Sequence, residues 1–253
     1  MTDLDWLALP LLGSLLLCLV LVPLGYQVIA RGVVFADLAI AQWAALGALA
    51  GHYMGSALTL AGAPVTSLVM AFLATAAVHL SRRLPGQTRE PAIGILYVLG
   101  ASLAVFLVSG DPHGAQALHQ TLSGDLLWAS GRTLWALALI AMVSGWLYWH
   151  RSGWDRGAGF MPLFALAVSY SVTLAGIYVV FATLIITPWI QGCLQGRAPV
   201  FAAAIALTGH MAGLGLSVLA DVPAGPAVVV ATLLAALSGL ALAGNRHSSI
   251  SGG

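Results

Sequence analysis

Long apolar runs constrain this chain more than any other feature of its sequence. Between Trp6 and Gly244, runs of about 17–25 mostly apolar residues follow one another with only short polar breaks. Charged residues make up 7% of the sequence, against roughly 25% in an ordinary soluble domain. Because a helix needs about 20 apolar residues to cross the hydrocarbon core, we predict an all-α, polytopic membrane protein, a bundle of about eight or nine transmembrane helices.

The polar breaks locate the individual spans. At 253 residues the chain has room for one transmembrane domain over 1–253 and for no appended soluble domain. The stretch 160–193 is short for two full spans, so we predict one span followed by a shorter span or re-entrant segment interrupted at Pro188. The predicted spans are Trp6–Ile29, Val33–His52, Leu58–Leu80, Ala92–Ser109, Thr133–Trp149, Phe160–Cys193, Val200–Leu219 and Ala227–Ala243.

The arginines predict the orientation of these spans. All nine basic residues are arginine, and seven of them fall in the segments 81–90, 150–159, 194–198 and 245–247. The positive-inside rule places those segments in the cytoplasm, together with the C-terminus. The stretch 110–132 then lies outside, with Arg132 as an exception. A net charge of +1 excludes a basic surface for nucleic acid.

Polar residues inside the second span are candidates for a transport path, because a charged group at the centre of a bilayer costs at least roughly 2.5–3.5 kcal/mol. Asp37 and Gln42 lie five positions apart on this span and could offer oxygen ligands to a passing cation. Alternatively, Asp37 pairs with Arg31 near the cytoplasmic end and is structural.

Histidines provide two further candidates. His210 lies in the middle of a predicted span, where it could line a path or form a hydrogen bond between helices. His52 lies at the outer end of the second span, where it could belong to the path or simply be exposed at the interface.

The outer stretch also carries residues that could meet a partner. Asp111, His113 and His119 are side chains of types that bind zinc, but their spacing matches no compact zinc motif, and a solvated loop is the alternative. The chain has no GxxxxGK[ST] sequence, so it cannot itself hold ATP in a P-loop. It also lacks the HExxH and GxSxG motifs of hydrolytic enzymes.

Six segments in order resemble the permeases of zinc- and manganese-type ABC importers. Residues 221–229 read D-x-P-x-G-P-x-x-V, a pattern that recurs in that family at the turn before the last span. The other five matching segments are Pro23–Gly25, Gln42–Gly47, Glu90–Ile95, Leu122–Leu127 and Val180–Pro188.

The resemblance implies a permease subunit of an ATP-driven importer for divalent metal ions, zinc or manganese first and iron next. Such a subunit binds no cofactor itself, works as a homodimer in the inner membrane and moves its cargo by alternating access. A separate ATPase subunit would hold ATP, and an extracytoplasmic metal-binding protein would deliver the metal. The implied contacts with the binding protein are Asp111, His113, His119, Asp125 and Asp221, and those with the ATPase are Arg82, Arg83, Asp155, Arg156 and Phe160.

The sequence departs from the family pattern at two places. In well-known members, an aspartate and a histidine four residues later bind the metal on the second conserved span. Here those positions are Leu38 and Gln42, with Asp37 displaced by one, so this is a variant with glutamine in place of the usual histidine. The cytoplasmic loop that carries the coupling helix is short, at 151–160.

Two other kinds of function compete with the importer. A secondary transporter or channel would use an ion gradient, with Asp37 or His210 as a proton relay. An intramembrane enzyme would need catalytic groups clustered at one depth, and the spacing of the polar residues does not indicate such a cluster.

Overall fold

A computed structural model of the chain describes residues 7–30, 34–55, 58–124, 126–150, 159–193 and 199–250. Across these ranges the chain forms nine α-helices, a short 3-10 helix and a two-stranded hairpin, which confirms the predicted all-α, polytopic class. The elements are α1 (Ala8–Ala30), α2 (Val34–Tyr53), β1 (Thr59–Leu60), β2 (Ala63–Pro64), α3 (Val65–Ser81), α4 (Gly86–Val108), α5 (Gly114–Ser123), the 3-10 helix Leu126–Trp128, α6 (Gly131–His150), α7 (Phe160–Cys193), α8 (Pro199–Ala220) and α9 (Ala224–Ile250).

Helices dominate because backbone groups in lipid have no water to bond and must pair within their own segment. Within the described ranges, five helices are long and apolar enough to cross a membrane, and two further apolar helices are shorter. The five are Ala8–Ala30, Gln87–Val108, Phe160–Cys193, Val200–Ala220 and Ala224–Ala241, and the shorter two are Val65–Ser81 and Gly131–Leu147.

The bundle has two ends, which we name by the elements that lie there. The hairpin end carries β1–β2, α5 and the turn 221–223 between α8 and α9. Gly62 of the hairpin lies against Thr133 at the start of α6, and Gly225 at the start of α9 lies against Ser123. The arginine end carries the turn 82–85 between α3 and α4. The sequence predicts that the hairpin end faces outwards and the arginine end faces the cytoplasm.

Helix α7 lies at the centre of the bundle and is broken at Gly176, which has φ 75° and ψ 171°. A straight helix of 34 residues would be about 51 Å long, much more than the roughly 30 Å hydrocarbon core. The predicted interruption at Pro188 is wrong, because the helix continues through that proline. Neighbouring helices and local adjustments make proline tolerable in a membrane helix, whereas a positive φ ends regular helix geometry.

The break at Gly176 lies at the hairpin end. Before it, the Tyr170 hydroxyl donates a hydrogen bond to the backbone oxygen of Leu60 in β1, at 2.8 Å. Gly13 of α1 lies against Leu174, just before the break, and Gly25 of α1 lies against Leu184 after it, so the second part of α7 runs beside α1. Helix α7 therefore reaches the hairpin end before Gly176 and leaves it afterwards.

Two predicted helix boundaries and one predicted connecting stretch also differ from the structure. Helix α3 begins at Val65, because the preceding residues form the hairpin, whose turn has Ala61 at φ 47° and Gly62 at φ 89°. Positive φ at both central residues is the signature of a tight two-residue turn. Helix α4 begins directly after Pro85 and so includes Arg89 and Glu90. The outer stretch 110–132 is not simply a solvated loop, the alternative to a zinc site in the sequence analysis, because it contains the helix α5.

Candidate functional site

Asp37 is a buried carboxylate in the first turn of α2, with only 1% of its surface exposed. Its Oδ1 accepts a hydrogen bond from the backbone N–H of Leu38 at 2.8 Å. Its Oδ2 is buried and has no partner among the residues that the structure describes. Burying a carboxylate oxygen without a partner is unfavourable, so this oxygen is available to a cation or a proton.

Gln42 is also buried, at 5% exposure, and lies one and a half turns further along α2. Five residues correspond to about 140° of rotation, so Asp37 and Gln42 point to well-separated faces of the helix and not to the neighbouring faces that the sequence suggested. Gln42 faces α4, where a Cβ placed on Gly100 would lie 3.4 Å from the Gln42 Cγ. Leu38, four residues before Gln42, shares its face of α2.

His210 is fully buried in α8, where it joins α7 to α8. Its Nε2 lies 2.9 Å from the Thr183 Oγ1, and the Thr183 hydroxyl donates to the backbone oxygen of Val179 at 2.8 Å. A hydroxyl has one proton, so both contacts are satisfied only if His210 carries its proton on Nε2 and donates it to Thr183. The His210 Nδ1 is then a buried acceptor without a described partner.

The structure does not bring His210 beside the two candidates on α2. Helix α8 packs mainly against α9, α1 and α7, whereas α2 packs mainly against α3, α4 and α7. The hydrogen bond with Thr183 is the helix–helix contact that sequence reasoning allowed as an alternative. Asp37 and Gln42 therefore remain two candidate positions on α2, and His210 forms a separate polar contact between α7 and α8.

At the hairpin end, the structure joins the end of α2 to the turn after α4. The Tyr53 hydroxyl donates to the Asp111 Oδ2 at 2.7 Å, and the His113 backbone N–H donates to the Asp111 Oδ1 at 2.9 Å. The His113 Nδ1 lies 3.9 Å from the same oxygen. His52 is exposed, and its ring meets the Tyr53 ring edge-on at 5.5 Å. Three of the predicted residues are thus close together around Tyr53.

The surroundings of Asp111 lower the pKa of its carboxyl group, first through the His113 backbone N–H and then through the Tyr53 hydroxyl, with smaller contributions from the charges of His113 and His52. Within the described ranges, no group of three or more His, Cys, Asp or Glu side chains is arranged to hold a metal ion. The hydrogen bond from Tyr53 to Asp111 links the end of α2 to the turn after α4.

The remaining outer residues lie apart from this link. His119 is exposed on α5, and its backbone oxygen accepts a hydrogen bond from Ser123. Asp221 is exposed with φ 51° at the end of α8, a left-handed conformation in which aspartate is enriched. It terminates α8, while Pro223 precedes α9. Asp125 lies outside the described residues.

The arginine end presents two of the residues predicted to meet an ATPase. Arg82 and Arg83 are exposed in the turn after α3, and their backbone N–H groups donate to the oxygens of His79 and Leu80. Phe160, by contrast, is 1% exposed and stacks on Phe164 with ring centroids 5.7 Å apart. It anchors the start of α7 in the core instead of presenting its ring at the surface. Asp155 and Arg156 lie outside the described residues.

A family model described as "ABC 3 transport family" matches residues 3–151, which is 149 of the 253 residues. The chain belongs to the ABC 3 transport family. Its fold is similar to that of a chain in the solved structure "PsaBC from Streptococcus pneumoniae in complex with Fab". The TM-score is 0.74 at 16% identity, over 94% of this chain and 91% of that chain. Comparison with curated protein sequences gave no match.

Membership of the ABC 3 transport family agrees with the resemblance carried by the sequence motifs. The matched region runs from α1 to α6 and so includes α2 with Asp37 and Gln42. The sequence could not reveal that Tyr53 is the hydrogen-bond partner of Asp111. The two residues are 58 positions apart, and no motif links them.

The link between Tyr53 and Asp111 makes a prediction about pH. When the pKa of an aspartate is lower in the folded than in the unfolded protein, its ionised form stabilises the fold. This contribution is fully present at pH values above about 3.9, the pKa in the unfolded chain. That contribution is lost as the pH falls through the lower, folded value. We expect Tyr53→Phe to raise the Asp111 pKa, because it removes one of the hydrogen bonds to the ionised form. A carbon-13 NMR titration of the Asp111 carboxyl measures this shift.

Tyr178→Phe is the matched control for this titration, since Tyr178 is an exposed tyrosine on α7. It should leave the Asp111 titration unchanged. An equal Asp111 pKa in wild type and Tyr53→Phe would contradict the role of the hydroxyl.

Proposed function

We propose that this protein is the membrane-spanning permease subunit of an ATP-driven ABC importer for divalent metal ions. Residues 1–253 form a single permease domain in the inner membrane, with the C-terminus in the cytoplasm. Membership of the ABC 3 transport family supports this proposal. The seven arginines in the segments assigned to one side support the orientation.

The buried carboxylate of Asp37 is the observation that supports a metal ion as the cargo. One of its oxygens has no described partner, and an ionisable group inside a membrane protein is a functional candidate by default. The amide of Gln42 lies on the same helix and can supply a neutral oxygen. Carboxylate and amide oxygens suit manganese, whereas the imidazole of His210, which suits zinc or iron, lies on α8 away from these two side chains.

We place the partners at the two ends of the bundle. A binding protein delivers metal at the hairpin end, where Asp111, His113, His119 and Asp221 lie. An ATPase subunit docks at the arginine end, where Arg82 and Arg83 are exposed. Two copies of the chain form a homodimer around the path. Nucleotide binding shifts the population between two packings of the helices, which is alternating access.

The test is metal uptake by the purified chain in proteoliposomes, with its candidate ATPase and binding protein. Zinc, manganese and iron are compared with and without internal ATP. We expect uptake of one of these metals that needs both ATP and the ATPase subunit. Uptake without the ATPase and driven by a proton gradient would instead establish a secondary transporter. No uptake of any of the three would exclude the metal cargo.

A further inference from the structure

The helices α3 and α4 leave a cleft between them at the arginine end. They are consecutive and joined by the turn 82–85, yet each packs chiefly on α2, and they contact each other little. The Trp43 indole of α2 donates a hydrogen bond to the backbone oxygen of Leu96 at 2.9 Å and so ties α4 to α2. The cleft has a volume of about 360 Å³ and is lined mainly by Ala77, Val78, Leu80, Ala92, Ile93 and Leu96.

This cleft opens towards the lipid. Helix α4 is the least buried of the long apolar helices, with 22% of its span buried, against 44–78% for the other four. On its outer face Ile95 is 69% exposed and Val98 is 59% exposed. At the rim of the cleft, Leu80 and Leu84 are also exposed large apolar residues. An apolar chain from the bilayer can therefore enter the cleft without crossing a polar barrier.

The rim of the cleft is positively charged. Arg83 lines the cleft, and Arg82 is its neighbour in the same turn. Arg89 is not a lining residue but lies one helical turn before Ala92 and Ile93, on the same face of α4. Three arginines thus stand against one acid, Glu90, in the segment 81–90. In the described part of the chain, no carboxylate lies within 4.0 Å of any of the three arginines. The Arg89 Nε is buried and has no described partner.

An apolar cleft with an unpaired cationic rim at the end of a membrane span fits an amphiphile with a negative head. A free phosphate would satisfy the arginines and leave the cleft unfilled, and an acidic protein surface would do the same. Guanidinium groups match phosphate oxygens in a two-point geometry. Basic pockets between membrane helices are known to hold anionic head groups.

We propose that an anionic glycerophospholipid binds here, with an acyl chain between α3 and α4 and its phosphate at Arg83 and Arg89. The lipid comes from the leaflet at the arginine end. By occupying the cleft, it connects two helices that otherwise meet mainly through α2. This site is independent of the cargo, although it shares Arg83 with the surface that we propose for the ATPase.

The test compares two lipids that share acyl chains and differ in charge. The full-length chain is purified and placed in nanodiscs of mixed dioleoyl phosphatidylglycerol and dioleoyl phosphatidylcholine, then released for native mass spectrometry. We expect one phosphatidylglycerol retained per chain in preference to phosphatidylcholine. Each of Arg83→Gln and Arg89→Gln should lower that retention about fivefold, since one arginine near an anionic surface contributes about 1 kcal/mol. Excess inorganic phosphate should not displace the lipid.

Two further variants separate the head group from the acyl chain. Arg132→Gln, an exposed arginine at the hairpin end, is the matched control and should leave retention unchanged. Ala92→Leu narrows the cleft without changing charge and should also lower retention. The proposal is overturned if both lipids are retained equally, if Arg132→Gln has the same effect as Arg83→Gln, or if phosphate alone displaces the lipid. It is also overturned if Arg83→Gln abolishes ATPase binding but leaves lipid retention unchanged.

Discussion

Replacing Asp37 with asparagine is expected to reduce ATP-dependent metal uptake by at least about tenfold. Asparagine has nearly the same shape and keeps an oxygen that can accept the Leu38 N–H bond, so the first turn of α2 is preserved. It removes the negative charge and the oxygen that has no described partner. Replacing a residue that only hydrogen-bonds to a metal ligand lowers metal affinity or activity about 10–100-fold. Loss of a ligand itself should lower uptake at least as much.

Uptake and stability must be measured on the same preparations of this variant. A neutral side chain is easier to bury than a carboxylate, so we expect Asp37→Asn to unfold at the same temperature as wild type or higher. Asp5→Asn, a substitution of the same type before α1, is the charge-matched control and should transport normally. Full uptake by Asp37→Asn would mean that Asp37 only stabilises the start of its helix, where a negative charge is favourable. In that case the metal path would have to lie elsewhere.

Replacing Gly176 with alanine is expected to destabilise the protein by at least about 2 kcal/mol. At φ 75° and ψ 171° this residue occupies a region that is essentially restricted to glycine, and strain of that kind costs about 1–3 kcal/mol. A Cβ there would also overlap the backbone nitrogen of Gly124 and would lie 2.6 Å from the backbone oxygen of Leu122. The neighbouring atoms belong to backbone and cannot move aside as a flexible side chain would.

Gly145→Ala is the matched control for this prediction. Gly145 lies in α6, and a Cβ placed on it meets nothing within 4 Å. Alanine in a helix interior should stabilise the protein by roughly 0.5–1 kcal/mol relative to glycine. Unfolding of the two variants and of wild type in the same detergent measures both effects. Equal unfolding midpoints for Gly176→Ala and Gly145→Ala would contradict the constraint at the break.

The long apolar helices were predictable because lipid imposes one local requirement on every span. An apolar run of sufficient length must satisfy its own backbone, so its length and composition predict a helix without knowledge of its neighbours. The buried carboxylate of Asp37 was found for the same reason, since a charge inside such a run is expensive wherever the run packs. The ordered motifs, such as residues 221–229, likewise indicate the ABC 3 transport family from the sequence alone.

Features that depend on contacts between distant segments could not be predicted in this way. The hairpin of residues 59–64 was read as part of a span, because Thr59–Pro64 is apolar enough to continue the run. The break in α7 was placed at Pro188, since proline is the residue known to interrupt helices. The real break at Gly176 is held by the backbone of Gly124, which approaches from a different part of the chain.

The sequence by itself determined that this protein spans a membrane, which long apolar segments form its membrane helices, and which polar residues are costly to bury. Those properties follow from free energies of transfer that add up along the chain. Only the tertiary structure decided that Tyr53 meets Asp111, that His210 pairs with Thr183 away from Asp37, and that α3 and α4 leave a cleft between them. These depend on how helices pack, and packing in lipid is set by close contacts between residues far apart in sequence.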